Sequence, residues 1–299
     1  MDIDLVITYV DSSDPDWMKD HEEMCLRNNR IPDANSVRFR EWNTLRYIMR
    51  GTQMFMPWVR KIHLIVERPS QIPKWVNQDE VNVVFHNNII PSDYLPTYNS
   101  TCIEQFMWKI NGLAEHFLYA NDDMIPVNPL SPGDFFDRNG NPRIEINNKP
   151  FDETKSMYAH HLHNGEALVR RVLNLPPRND GITRTGHNIA PMLVSTWKML
   201  WDKVSREIRQ TLTPFRNGRN INQELAAYWQ LLTGNYTLSE RTTTYTEFEN
   251  IDYVCHLITG TVSQLICLND AKVFNYFTAK ERITEAFETK MPKKSKYEL

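Results

Sequence analysis

The chain has 299 residues, 41% of them apolar and 11% aromatic, enough for one large α/β domain or two small ones with a sizeable core. Its formal charge is only −3, with Lys and Arg spread along the sequence, which excludes the basic stripe that draws a protein to nucleic acid. The opening residues lack the pattern of a secretory signal, no run reaches the ~20 apolar residues of a membrane span, and the four dispersed cysteines form no CxxC pair, so a soluble cytoplasmic protein with reduced thiols is expected.

The β-branched run from Ile3 to Val10 reads as a buried strand whose carboxyl end falls at Asp11, in the turn-rich Asp11-Ser-Ser-Asp-Pro15. From Arg38 to Met56, Phe39, Trp42, Leu45 and Ile48 recur at helical spacing, and Pro57 closes the pattern. Strands come next at Lys61 to Glu67 and Val81 to Phe85. Thr101 and Glu104 have the spacing of a capping box ahead of Ile103, Phe106, Met107, Ile110 and Leu113. A further strand, His116 to Ala120, ends at Asn121-Asp-Asp123. The segment Pro126 to Pro150 reads as loop or hairpin, with a turn at Arg138-Asn-Gly-Asn141. Pro191 suits the first turn of a helix carrying Met192, Thr196, Trp197, Leu200 and Trp201. Another helix, with Ile221, Leu225, Tyr228, Trp229 and Leu232 on one face, ends at Gly234.

Strand-helix alternation over residues 1–125 predicts a mainly parallel sheet flanked by helices, with ligands at the carboxyl ends of the strands. Residues 126–299 are more helical and would complete one catalytic domain. Asp11 and Asp122-Asp123 then fall at strand ends, where paired carboxylates hold a hard cation; a simple Asx turn would also explain the triplet on its own. His187 precedes a helix and could serve as a base or only as a loop residue. Arg216 and Arg219 are suited to phosphate oxygens, although surface arginines are common. Leu95-Pro-Thr-Tyr-Asn-Ser100 fits a sugar- or base-contacting loop and equally a helix cap. His160, His161 and His163 lack a second ligand group at metal-binding spacing. Four lysines between Lys290 and Lys296 could touch an anionic membrane face, or simply be solvated. No Walker loop, dinucleotide fingerprint or nucleophile elbow occurs.

Four ordered blocks together resemble the Stealth family, which includes bacterial capsular polysaccharide phosphotransferases and the catalytic core of the lysosomal-enzyme GlcNAc-1-phosphotransferase. They are Ile3 to Pro15; Arg38-Phe-Arg40 through Pro57-Trp-Val-Arg-Lys-Ile62, Gln71 to Trp75 and Leu95 to Ser100 as far as Asp123; Gly186-His-Asn-Ile-Ala-Pro191; and Leu265-Ile-Cys-Leu-Asn-Asp270. The resemblance implies a GT-A-like (Rossmann-like) fold that binds a nucleotide sugar, with UDP-GlcNAc as the leading candidate. It implies Asp11, Asp123, His187 and Arg216 as catalytic residues, and Mg²⁺ or Mn²⁺ on Asp122 and Asp123. Arg38, Asn99, Ser100, Asn121 and Arg219 are expected to bind substrate. Asn220 stands where the family often has an acid, four residues after Arg216. The implied reaction is transfer of a hexose-1-phosphate to a carbohydrate hydroxyl with release of UMP, in capsule or cell-surface polysaccharide synthesis. A glycosyltransferase releasing UDP, a non-catalytic sugar-binding module and a phosphodiesterase are the alternatives.

Overall fold

The computed structural model describes residues 1–32, 39–147, 156–178, 181 and 183–299. In chain order its elements are β1 (Ile3–Thr8), α1 (Pro15–Arg27), α2 (Thr44–Phe55), β2 (Ile62–Val66), β3 (Val81–Phe85), α3 (His86–Ile89), α4 (Ser100–Glu104), β4 (His116–Asn121), β5 (Met124–Pro126) and β6 (Arg143–Ile144). The later elements are α5 (Met157–Val172), β7 (Ala190–Leu193), α6 (Val194–Thr211), α7 (Glu224–Thr233), β8 (Thr237–Leu238), β9 (Thr243–Glu247), α8 (Ile251–Gly260), β10 (Leu265–Asn269) and α9 (Tyr276–Lys290). The fold is α/β, around a mainly parallel, mixed sheet in the order β3-β2-β1-β4-β7.

The chain forms two compact units, each assembled from three separated segments. The first contains residues 1–6, 86–119 and 132–240; the second contains 7–85, 120–131 and 241–299. Strands β1 and β4 contribute to both.

In the second unit, β2 and β3 pair in parallel from Ile62↔Val81 to Val66↔Phe85. All five β2 residues are buried, as a continuous apolar run requires when both faces of a sheet are covered. Helix α1, which the sequence reading did not anticipate, starts for a physical reason: Asp14 accepts the amides of Asp16 and Trp17, and Pro15 fills the first turn, where no amide partner is needed. A second sheet, β5-β10-β9, pairs Ile266 with Ile125 antiparallel and with Thr244 in parallel. Tyr47 of α2 stacks on Phe287 of α9 at 4.5 Å between ring centres, fixing those helices together.

The lysine-rich end belongs to this unit. The Asn77 amide donates to the Tyr297 carbonyl at 2.8 Å, Val76 bridges to Glu298, and Tyr297 is 3% exposed. Lys296 pairs with Glu80 at 3.0 Å, and Lys294 donates to the Leu299 carbonyl at 2.8 Å. The segment offered by the sequence as a membrane-contacting tail is therefore packed against its own unit. Among the described residues, no helix is long and apolar enough to cross a membrane.

In the first unit, β7 runs antiparallel to β4, with Leu118 opposite Pro191. This corrects the expectation from sequence: Pro191 lies in a strand, and the helix begins three residues later at Val194. At the end of a sheet, proline's missing amide costs no ladder bond, so an edge strand suits it as well as a helix start. Trp197, Leu200 and Trp201 are buried from α6, and Leu225 and Tyr228 from α7. Gly234 ends α7 with φ +74°, the left-handed conformation that glycine adopts without penalty. A second correction concerns α4. Its cap is Asn99, whose side chain accepts the Thr101 amide, while Glu104 points instead to the Gln223 amide at 2.8 Å.

Candidate active site

The second unit gathers carboxylates at its strand ends. Strand β1 stops at Thr8 and β4 at Asn121, and the Thr8 hydroxyl donates weakly to Asn121 Oδ1 at 3.4 Å. Acidic residues stand just past both ends. Asp11 Oδ1 accepts the Ser13 amide at 2.8 Å, and the Asp11 backbone is clasped by the Gln71 amide group, which donates to its carbonyl at 3.0 Å and accepts its N–H at 2.7 Å. Asp122 is pushed well above the ordinary carboxylate range, first by burial and then by repulsion from Asp123, Glu41 and Asp270. Tyr9 is likewise raised, by burial and by Glu41, Asp11 and Asp122.

Strand β10 locks Asp123 into place, because the Leu268 amide donates to the Asp123 carbonyl at 2.9 Å. The Cys267 thiol is held well above its usual value by burial and by a hydrogen bond with the Asp123 carboxylate, so it stays protonated. Two cations temper the cluster. Arg40 grips Asp270 through two hydrogen bonds of 2.9 and 2.5 Å and also donates to the Ala271 carbonyl at 2.7 Å. Lys280 reaches Glu41 at 2.6 Å. A cavity of about 740 Å³ opens beside Asp11, between Arg40, Glu41 and the first turns of α9.

Acidic oxygen donors dominate this cluster. Oxygen ligands from several carboxylates suit Mg²⁺ or Mn²⁺, and the repulsion that raises Asp122 is what a bound cation relieves.

The first unit holds an arginine loop. Arg216 donates to the Ser100 hydroxyl at the start of α4, and its charge acts on the buried Glu104. The loop's shape is set by Asn220, which is 1% exposed. Its Oδ1 accepts from the Asn217 amide at 2.7 Å and from Asn99 Nδ2 at 3.2 Å, while its Nδ2 donates to the Thr211 carbonyl and the Thr213 hydroxyl. A carboxylate could not make those two donations. Asparagine at 220 thus ties the loop down by a different set of bonds from those open to an acid. Helix α5 supports the far side: His161 Nε2 donates to the Asn217 carbonyl at 2.8 Å, and Asn164 donates to the carbonyls of Gly218 and Asn220. His161 and Asn164 of α5 therefore position the arginine loop.

His187, half-buried, lies in a loop tied to the residues after β6. The Gly186 amide donates to the Glu145 carbonyl at 3.0 Å, the Asn147 amide to the Arg184 carbonyl at 2.9 Å, and Asn188 to the Glu145 carboxylate. The His187 ring meets Tyr158 edge to face at 6.1 Å.

Of the expected substrate contacts, Asn99 is fully buried, with its amide spent on the Thr213 carbonyl and Asn220. Ser100 meets Arg216, Asn121 meets Thr8, and Arg219 is exposed. Arg38 lies outside the described residues. The structure adds Arg40, Glu41 and Asp270 in the second unit, and Glu104 and Glu145 in the first. Of these, Arg40 and Asp270 stand in the family blocks and Glu104 in the Thr101-Glu104 spacing, while Glu41 and Glu145 carried no sequence signal.

Behind the arginine loop lies Glu224, 3% exposed, accepting from Tyr158 at 3.3 Å and from Gln223 at 2.8 Å. Burial raises its carboxyl from 4.5 to about 7. The native state thus keeps a proton that the unfolded chain releases near pH 4.5. Glu224 stabilises the fold below that pH, and its contribution is lost as pH rises to about 7. The expected loss across that window is about 3 kcal/mol. Urea unfolding at pH 5 and pH 7.5 checks this: the drop shrinks in Glu224→Gln, and an equal drop in both proteins contradicts it.

The strand ends of this α/β sheet thus carry a cluster of carboxylates. Comparison with known proteins narrows this. The profile described as Stealth protein CR2, conserved region 2, matches residues 38–144. The receptor polysaccharide phosphotransferase WefC of Streptococcus oralis is 30% identical over 99% of both chains. The capsular polysaccharide phosphotransferase WcwK of Streptococcus pneumoniae is also 30% identical over 99% of each, and the exopolysaccharide phosphotransferase cps2G of Lactiplantibacillus plantarum is 29% identical over 99% of this chain and 96% of its own. The chain belongs to the Stealth family, and it is a transferase enzyme. Among solved structures, the galactosyltransferase LgtC aligns over 96% of this chain and 95% of its own at 10% identity with a TM-score of 0.44, too distant a likeness to carry either fold or function across.

Proposed function

We infer that the protein transfers a hexose-1-phosphate, GlcNAc-1-phosphate being the leading candidate, from a UDP-sugar to a carbohydrate hydroxyl. The product is a phosphodiester, the leaving group is UMP, and the role is in capsule or cell-surface polysaccharide synthesis. The observation that carries this reading is the placement of Asp11, Asp122 and Asp123 just past the ends of β1 and β4, where carboxylates could hold the divalent cation that a diphosphate needs. Full-length similarity to three polysaccharide phosphotransferases supports it.

In this reading Asp122 and Asp123 would hold Mg²⁺ or Mn²⁺, which would supply positive charge to the diphosphate. The acceptor hydroxyl attacks the β-phosphorus, the bond from that phosphorus to the bridging oxygen breaks, and UMP carries the oxygen away. Arg216 takes the charge of the transferring phosphoryl group; its tether to Ser100 sets the guanidinium in advance, so little ordering is needed during reaction. The acceptor proton goes to His187 or to one of the aspartates, with Asp11 also placed beside the cavity. Among the substrate contacts, Arg38 and Arg219 are assigned to the donor's phosphates and Ser100 and Asn121 to positioning; Asn99 acts by fixing the loop of Arg216.

The test is the nucleotide released when protein, Mg²⁺ or Mn²⁺ and UDP-sugars are incubated with neutral oligosaccharides. UMP that appears only with acceptor supports transfer of sugar-1-phosphate. UDP moves the protein to the glycosyltransferases, and UMP without acceptor makes it a phosphodiesterase.

A further inference from the structure

We propose that the cavity beside Asp11 is the acceptor subsite, and that it takes a neutral carbohydrate chain with one sugar ring stacked on Phe277. This rests on the transferase reading and adds where the acceptor binds and what kind it is. The cavity, about 740 Å³, lies within the ~300–1,000 Å³ typical of ligand sites.

Its charge selects the ligand. Asp11, Glu41, Glu281 and Glu285 line it, against the two cations Arg40 and Lys280. Both cations are already committed, Arg40 to Asp270 and Lys280 to Glu41. The residual field is negative, so a nucleotide diphosphate or a phosphorylated sugar is repelled. Hydroxyl groups, by contrast, are good donors to carboxylate oxygens, so an uncharged polyhydroxylated ligand matches the wall.

The apolar component is at the start of α9. Phe277 lines the cavity and is 75% exposed, and nearby Phe274 is wholly exposed. Tyr276 is already engaged: its hydroxyl donates to the Glu41 carbonyl, and its ring lies 5.1 Å from the Arg40 guanidinium carbon. Phe277, whose ring centre is 5.3 Å from that of Tyr276, is left to present a face to solvent, suited to the C–H face of a pyranose. Asn43 and Thr284, hydrogen-bonded to each other at 3.3 Å, add neutral polar groups on the same wall.

The experiment compares the protein with Phe277→Ala and Phe277→Tyr. Saturation-transfer NMR, without donor, is run on a panel of neutral glucose-, galactose- and N-acetylhexosamine-terminated oligosaccharides. Steady-state kinetics then use whichever of them supports UMP release. Saturation transfer from the wild-type protein is expected, lost in Phe277→Ala and kept in Phe277→Tyr. The acceptor KM should rise about tenfold in the alanine variant, the size of one stacked-ring contact, with donor KM and kcat within twofold. Because Phe277 is exposed, the thermal midpoint should not move. No transfer from the wild-type protein, transfer undiminished in Phe277→Ala, or a rise confined to donor KM would overturn the proposal. Oligosaccharide binding that depends on Phe277 without any UMP release would leave the subsite standing and remove the transferase reading instead.

Discussion

Replacing Asp123 by asparagine is expected to lower sugar-phosphate transfer by at least roughly 10²- to 10³-fold, the usual cost of losing one charge-stabilising group at a phosphoryl centre. The fold should not suffer. Asp123 is the first charged neighbour holding Asp122 above its ordinary range, so neutralising it relieves repulsion within the second unit. The thermal midpoint of Asp123→Asn should therefore equal or exceed that of the wild-type protein while activity collapses. Added Mn²⁺ supplies a second readout that needs no turnover. It should raise the wild-type midpoint, through binding to the native state alone, and raise that of the variant much less. Equal metal-induced shifts in both proteins would remove Asp123 from the cation site.

The second large effect is on stability. Arg50, in α2, donates to Glu298 at 2.9 and 3.0 Å, to Glu288 at 2.9 Å and to the Met291 carbonyl at 2.8 Å. The side chains of Arg50 and Glu298 are only 5% and 2% exposed. Burial works against the Glu298 charge, but hydrogen bonds from Arg50 and the Ser295 amide hold its carboxyl below the ordinary range. Glu298→Ala leaves the guanidinium buried with two of its four hydrogen bonds gone, and should cost about 3–5 kcal/mol in urea unfolding at pH 7. Apolar replacement of both partners, Arg50→Met with Glu298→Leu, should recover most of that loss, since no charge then remains to be desolvated. A single-variant loss below about 1 kcal/mol would mean that the C-terminal residues do not anchor α2.

The first four strands were the most legible part of the sequence. Ile62 to Val66 and Val81 to Phe85 are short β-branched runs bounded by polar residues, and they appear within a residue of where the pattern places them. Strand β10 falls within the last family block, which was not read as a strand. Pro191 misled because a fixed φ and a missing amide suit two environments, and only the partner strand decides between them. Asn99 is the better cap for α4 because its carboxamide accepts the Thr101 amide while its Nδ2 donates to Asn220, 121 positions away.

The same distance in sequence hid much of the candidate site. Asp11 and Asp122-Asp123 are visible locally, as acids that terminate apolar runs. Arg40 becomes informative only through Asp270, 230 positions on, and Glu145 only through Asn188. Neither pairing leaves a periodic trace. The histidines of α5 lacked the full spacing of a metal site, and His161 is used to hold the loop that presents Arg216.

In the proposed reaction phosphorus travels with the sugar, and this separates the enzyme from an ordinary glycosyltransferase. It can be read by ³¹P NMR of the purified carbohydrate product formed from a UDP-sugar in the presence of Mg²⁺. A single phosphodiester resonance is expected, coupled to the anomeric proton of the transferred sugar and to a proton of the acceptor, with UMP as the co-product. A phosphorus-free glycoside accompanied by UDP would contradict it.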